Sequence, residues 1–232
     1  MLYLPTQVGN RLMNLGHCKI LHHEMNSLPM FPLGTVIFPN QRFDLRVFEA
    51  RYLKLVSDIL AAESLFGTCL IEKGHEVGGG DTRFGTGTLC EVVQSQRLGE
   101  NQLHVEVRGV QKIFIEDWLP EVSYPIARIS EADDDIQRKF ESKSMVKIIS
   151  ELQKCYSLIY HLQKIDSRPP NQKQFESLSL YQLCDLSPLG QMNRYKLLEC
   201  ESESQRGMLL LEMIIDERET LEGLVQIQMK DQ

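Results

Sequence analysis

His17, Cys18, His22, His23 and Glu24 are residue types that ligate transition metals, and they stand close together near the N-terminus. Their spacing does not match a CxxC…HxxxH arrangement, and no second knuckle follows elsewhere in the chain. The glycine-rich stretch HEVGGGDTRFGTG, at 75–87, suggests a phosphate-cradling loop. Such a loop needs GxxxxGK[ST] at the opening of a helix, and no Lys-Ser or Lys-Thr pair is present there. Its glycines more simply make a connection between strands. Nucleophilic or metal-assisted hydrolysis would call for a GxSxG elbow or an HExxH helix, and neither occurs. The serines and lysines of SKSMVKIISELQK are those of a solvated helix face. The expectation is a non-catalytic chain with no metal and no cofactor.

A different chemistry is offered by LPMFPLGTVIFPNQRFDLRVFEARY, residues 28–52. Arg46, Glu49 and Arg51 lie among Phe43, Phe48 and Tyr52 at a change from strand to helix pattern. Placed in the first turn of a helix, Glu49 would pair with a neighbouring arginine and fix the helix against the strands. That scaffold role is the favoured reading. The functional alternative is a groove for an extended polypeptide, for which the candidates are Phe31, Arg46, Phe48, Glu49, Arg51 and Tyr52.

These residues need elements to hold them. Residues 1–26 show no period and are expected to be an extension outside the core, with the first 24 dispensable for folding. From 27 to 130 the chain is strand-rich, with Gly, Asn or Asp at nearly every break and a tight hairpin expected at LGENQ. One helix interrupts the strands, with Tyr52, Leu53, Val56, Ile59 and Leu60 as its apolar face. Short, mostly antiparallel strands around one helix predict a small, partly closed barrel.

From 131 to 232 the pattern is helical. Ser130 or one of Asp133–Asp135 can cap a long amphipathic helix whose face runs from Phe140 through Ile148, Ile149, Leu152, Tyr156, Ile159 and Leu162. The prolines of DSRPPNQ stop it. A shorter helix is expected over KQFESLSLYQLCDL, another with Ser187 as N-cap and Pro188 in its first position, and a last one ending the chain. The fold class is therefore α+β, a β-rich barrel followed by a helical bundle.

Composition narrows the function classes. The net charge is −7, and both halves carry more acidic than basic side chains, which disfavours a nucleic-acid surface. No apolar run approaches the roughly 20 residues that span a bilayer, and the N-terminus lacks the pattern of a secretion signal. The six scattered cysteines include no CxxC pair, so buried reduced thiols and a cytoplasmic location are expected.

The stretch 28–52, followed by FGTCLIEKGHEVGGGDTRFGTGTLCEVV and VEVRGVQKIFI, strongly resembles the N-terminal, substrate-binding domain of the ATP-dependent Lon proteases. The resemblance is detailed over 28–130 and looser in the helical half, mainly through LSPLGQMNRYKLLECESESQRGMLLLEMI. It implies a PUA-like pseudo-barrel followed by a helical bundle, and a stand-alone bacterial form without ATPase or protease machinery. It also implies a module that holds unfolded or extended polypeptide segments, or docks a partner protein, as an accessory to proteolysis. The runner-up is RNA binding, because PUA-like folds include RNA readers. A small enzyme with an unrecognised site stands third.

Overall fold

The computed structural model describes residues 27–74, 80–132 and 142–230. The metal-type cluster at 17–24, the extension 1–26, the glycines at 78 and 79, the proposed caps Asp133–Asp135 and Phe140 lie outside the described residues.

Six strands and one helix make the first part: β1 (Ser27–Leu33), β2 (Arg42–Val47), α1 (Ala50–Ala62), β3 (Phe66–Lys73), β4 (Thr82–Gly99), β5 (Gln102–Leu119) and β6 (Ile126–Glu131). The sheet order is β2-β5-β4-β3-β1-β6, and β6 also pairs with β5. That extra pairing bends the sheet into a ring. β5 makes it possible by its length: residues 103–108 pair with β2, and 113–119 pair with β6. β1 is parallel to β3, and the other pairings are antiparallel. A two-residue turn, Glu100–Asn101, joins β4 to β5 as LGENQ predicts.

The turn before β2 sets where that strand lies. Gln41 N–H closes it on the Phe38 carbonyl at 3.1 Å, and Asn40 sits at φ 66°. Asn40 N–H then donates to the Gly109 carbonyl at 2.8 Å, while Gly109 N–H donates to the Gln41 carbonyl at 2.9 Å. This is a bulge with asparagine in the left-handed position that usually needs glycine. Gly109 must be glycine for another reason: a Cβ there would run into the Phe38 carbonyl oxygen.

α1 buries Tyr52, Leu55, Val56 and Ile59 against the barrel, joining Phe31, Leu45, Val47, Phe66, Val105 and Val107 in one apolar core. Leu60, expected on that face, is 43% exposed, and Leu55 takes its place. The helix ends at Glu63, whose φ of 48° turns the chain out.

Among the described residues four helices follow: α2 (Ser142–Leu162), α3 (Leu180–Leu186), α4 (Gln191–Glu199) and α5 (Glu203–Lys230), with a 3₁₀ turn at Gln172–Gln174. The single helix expected over KQFESLSLYQLCDL is thus two pieces. Ser179 caps the second, accepting from Gln182 N–H while the Gln182 side chain accepts from Ser179 N–H. Ser130 lies in β6 rather than before a helix among the described residues, and its hydroxyl donates to Glu116. Ser187 ends α3 rather than starting α4, donating its hydroxyl to the Cys184 carbonyl at 2.6 Å, and Gly190 precedes α4. A short hydroxyl bond back onto the finished helix satisfies a terminal carbonyl, which is the alternative use of such a serine.

Ile148, Ile149, Leu152, Tyr156 and Ile159 of α2 pack with Leu210, Ile214 and Leu221 of α5. Val36, Phe38 and Leu70 from the sheet side enter the same core. Buried cations stitch the junction. Arg194 donates to the Asp185 carbonyl at 2.7 Å and to the Val36 carbonyl at 3.3 Å, and its guanidinium lies 4.9 Å from the Phe38 ring. The described cysteines, Cys69, Cys90, Cys155, Cys184 and Cys200, are free and buried. Among the described residues no helix is long and apolar enough to cross a membrane.

Candidate peptide-binding groove

β2 runs into α1 through Phe48 and Glu49. The Glu49 backbone is still extended, at φ −76° and ψ 135°, and its carbonyl accepts from Tyr52 N–H at 3.0 Å and Leu53 N–H at 2.9 Å. Glu49 is therefore the N-cap residue, one position before the first turn where the sequence placed it. Its side chain does not cap. Its Oε2 instead accepts from Arg51 Nε at 3.1 Å, with both side chains largely buried.

That ion pair aims the guanidinium at an aromatic stack. The Arg51 Cζ stands 4.4 Å from the centre of the Tyr52 ring, and Tyr52 lies 4.0 Å from Phe31 with the rings 17° apart. Burial pushes the Tyr52 hydroxyl up to about 12, with the Arg51 charge pulling the other way. Tyr52 is thus a neutral phenol over the whole physiological range, suited to packing and not to proton transfer.

Beside this stack a groove of about 570 Å³ opens between β1 and β2. Phe31 and Leu33 of β1 form one wall, and every residue from Phe43 to Glu49 contributes to the other. Phe48 is 55% exposed at the rim. Arg46 is exposed too and makes no ion pair among the described residues. Its neighbour Asp44 faces His104 Nε2 at 3.1 Å across the β2–β5 pair.

Of the six sequence candidates, Phe31, Arg46, Phe48, Glu49 and Tyr52 line this groove, and Arg51 stands behind it as the support of Glu49 and Tyr52. The sequence did not point to Leu33, Thr35, Asp44 or His104. The signal for His104 was present in the hairpin of β4 and β5, but only the register Arg46↔His104 brings it to β2. Among the described residues no group of His, Cys, Asp and Glu is placed to hold a metal ion. The arrangement can clasp apolar side chains and meet a carboxylate; it offers no activated nucleophile.

Known proteins that this chain resembles include Lon proteases and their N-terminal domains. A Lon protease from Dictyoglomus thermophilum is 29% identical over 134 residues, covering 57% of this chain and 17% of that protein. One from Amoebophilus asiaticus is 23% identical over 190 residues, covering 79% of this chain and 23% of that protein. The match thus spans less than a quarter of these relatives. Among solved structures, a Lon N-terminal domain protein from Xanthomonas campestris superposes with a TM-score of 0.60 at 23% identity, covering 81% of this chain and 98% of that one. The N-terminal domain of the Mycobacterium avium complex Lon protease gives 0.59 at 13% identity, covering 84% and 98%. These likenesses agree in fold with the ring of strands and trailing helices described above. Residues 27–216 match the family model of the ATP-dependent protease La (Lon) substrate-binding domain, and the chain belongs to that family.

Proposed function

We propose that this chain is a non-catalytic polypeptide-binding module that holds extended, exposed segments of client proteins in the groove between β1 and β2, in the service of proteolysis. Residues 27–130 are the binding subdomain, and 131–232 are its helical support. The observation that carries this reading is the groove itself. An unbroken run, Phe43 to Glu49, lies along one side, and the Phe31–Tyr52 stack stands beside it. A concave, mostly apolar site with a few polar groups at its rim is the ordinary form of a recognition site. Extended chains fit it without chemistry, and the polypeptide, not a nucleic acid, matches its charge. One exposed cation, Arg46, offers little to a phosphate backbone.

Titrating a labelled unfolded polypeptide such as reduced, carboxymethylated casein against the full chain tests the reading by fluorescence anisotropy. Binding with a Kd of about 1–100 μM, typical of small transient interfaces, is expected. Phe48→Asp should weaken it by at least about tenfold, the loss of one well-buried contact. Binding unchanged by Phe48→Asp moves the site elsewhere, and no binding of any unfolded polypeptide ends the proposal.

A further inference from the structure

We infer that the occupant of this groove is added to the sheet as a further strand on the open edge of β2, and that it carries an acidic side chain opposite Arg46. The inference rests on the groove reading above and specifies how the groove holds its client.

Among the described residues β2 pairs with one strand only, β5, and it ends the sheet order. The bulge at Asn40 sets which backbone groups are spent on that pairing. Gly109 N–H donates to the Gln41 carbonyl, so Gln41 and Gly109 form a hydrogen-bonded pair. Alternation along an antiparallel ladder then makes Phe43↔Val107, Leu45↔Val105 and Val47↔Leu103 the bonded pairs. The N–H and C=O groups of Arg42, Asp44 and Arg46 therefore point away from β5. Asp44 and Arg46 line the groove, and no described backbone group bonds their amides or carbonyls. An edge of this kind is a template for another strand.

Side-chain alternation states what that strand carries. Leu45 and Val47 turn inward to the barrel core, whereas Arg42, Asp44 and Arg46 turn outward. An added strand repeats this pleat, so its inward residues meet Phe31 and Leu33 and are apolar, and its outward residue opposite Arg46 meets a cation. Arg42 is already paired with Glu106 at 2.6 Å and Asp44 with His104, which leaves Arg46 as the outward charge of β2 without an ion-pair partner among the described residues. An acid there completes the row. The occupant is a single extended segment rather than a second copy of this chain. A space of about 570 Å³, walled on its far side by β1, is the size of a small ligand and not of a folded sheet edge.

The probe is a short, fluorescently labelled, N-acetylated peptide of alternating leucine and glutamate, titrated against the full chain. Two further peptides are N-methylated, one on the leucine amides and one on the glutamate amides. Strand addition requires that one set lose at least about tenfold in affinity, the loss of one or two backbone bonds, while the other stays within about twofold. Equal effects of both sets, or of neither, overturn strand addition, while binding of casein that still depends on Phe48 leaves the groove reading standing. Arg46→Glu, checked for folding by circular dichroism, should reverse the preference toward a leucine–lysine peptide. An unreversed preference overturns the assignment of an acid to that position. A concentration-dependent dimer that Arg46→Glu dissociates, with no peptide binding to the parent, assigns the edge to a second copy and overturns the inference.

Discussion

Lys112, in the middle of β5, donates its ammonium to the carbonyl of Cys200 at 2.8 Å, so a sheet residue caps the end of α4. The same carbonyl accepts from Arg206 Nη2 at 3.1 Å, and Arg206 Nε donates to the Leu197 carbonyl at 2.9 Å. Lys112 and Arg206 are each only 2% exposed. The last turn of α4 therefore closes on two buried cations, one from the barrel and one from α5, where the helix dipole favours positive charge.

The two cations should not be equivalent. Lys112→Met keeps the stem volume, and Arg206 still satisfies the Cys200 carbonyl, so the expected cost is about 1–2 kcal/mol. Arg206→Met strips the Leu197 carbonyl as well and removes a guanidinium packed 4.1 Å from the Tyr181 ring, so about 3 kcal/mol or more is expected. Urea unfolding of the two variants measures the order. Equal midpoints would show that the carbonyls share one cation and not two.

Gly109→Ala should destabilise the fold by about 1–3 kcal/mol or more, because the added methyl meets the Phe38 carbonyl and not a movable side chain. The displaced turn carries Gln41 and the start of β2, so the loss should reach the groove as well. Thermal melting together with casein binding tests this: a variant that melts like the parent would mean that the Phe38–Gln41 turn yields at no cost.

Much of the fold was legible because it is written in local chemistry. The period of Tyr52, Val56 and Ile59 marked α1, and Glu-Asn between two alternating runs marked the β4–β5 hairpin. The errors came where a residue has two local uses. Ser187 before a proline has the look of an N-cap, yet its hydroxyl bonds the Cys184 carbonyl behind it, and nothing local decides between the two. Five groove residues were found because they are contiguous in one strand–helix passage or, like Phe31, in the strand that faces it. His104 was missed because it arrives through a ladder from a different hairpin. Lys112, Arg194 and Arg206 were invisible as buried groups. A cation in a sequence carries no mark of burial when its partners are backbone carbonyls, whether far along the chain, as for Lys112 and Arg194, or in the preceding helix, as for Arg206.

Stability should fall on the alkaline side well before the arginines titrate. Burial pushes the thiols of Cys69, Cys90 and Cys184 from an ordinary 9.0 up to about 12. It pushes the Tyr52 and Tyr156 phenols from 10.0 to about 12. In the unfolded chain these groups ionise at their ordinary values, whereas the folded chain keeps its protons to about 12. Between pH 9 and 12 the unfolded state therefore binds fewer protons than the native state, and unfolding becomes easier as pH rises. Their contribution is fully present below pH 9 and is lost through about 12. Urea midpoints that decline steadily from pH 8.5 upward are expected; a midpoint constant to pH 11 would mean these groups reach solvent in the native state.

The groove should separate binding from stability at two neighbouring positions. Phe31 is 6% exposed, stacked on Tyr52 and part of the barrel core, so Phe31→Ala removes a buried ring and should cost about 3–5 kcal/mol. Phe48 is 55% exposed, so Phe48→Ala should change stability by no more than about 0.5 kcal/mol. If the groove holds client chains, the order reverses in binding per unit of stability lost: Phe48→Ala weakens casein binding while its melting curve overlays the parent's. Glu49→Ala belongs with Phe31, since Glu49 braces Arg51 over the Tyr52 ring, and a partly buried charge-assisted bond of this kind is worth about 1–3 kcal/mol. Melting and anisotropy on the three variants decide the matter. A Glu49→Ala variant that melts like the parent but no longer binds would make Glu49 a contact residue, and a Phe48→Ala variant that binds like the parent would leave the aromatic rim without a role.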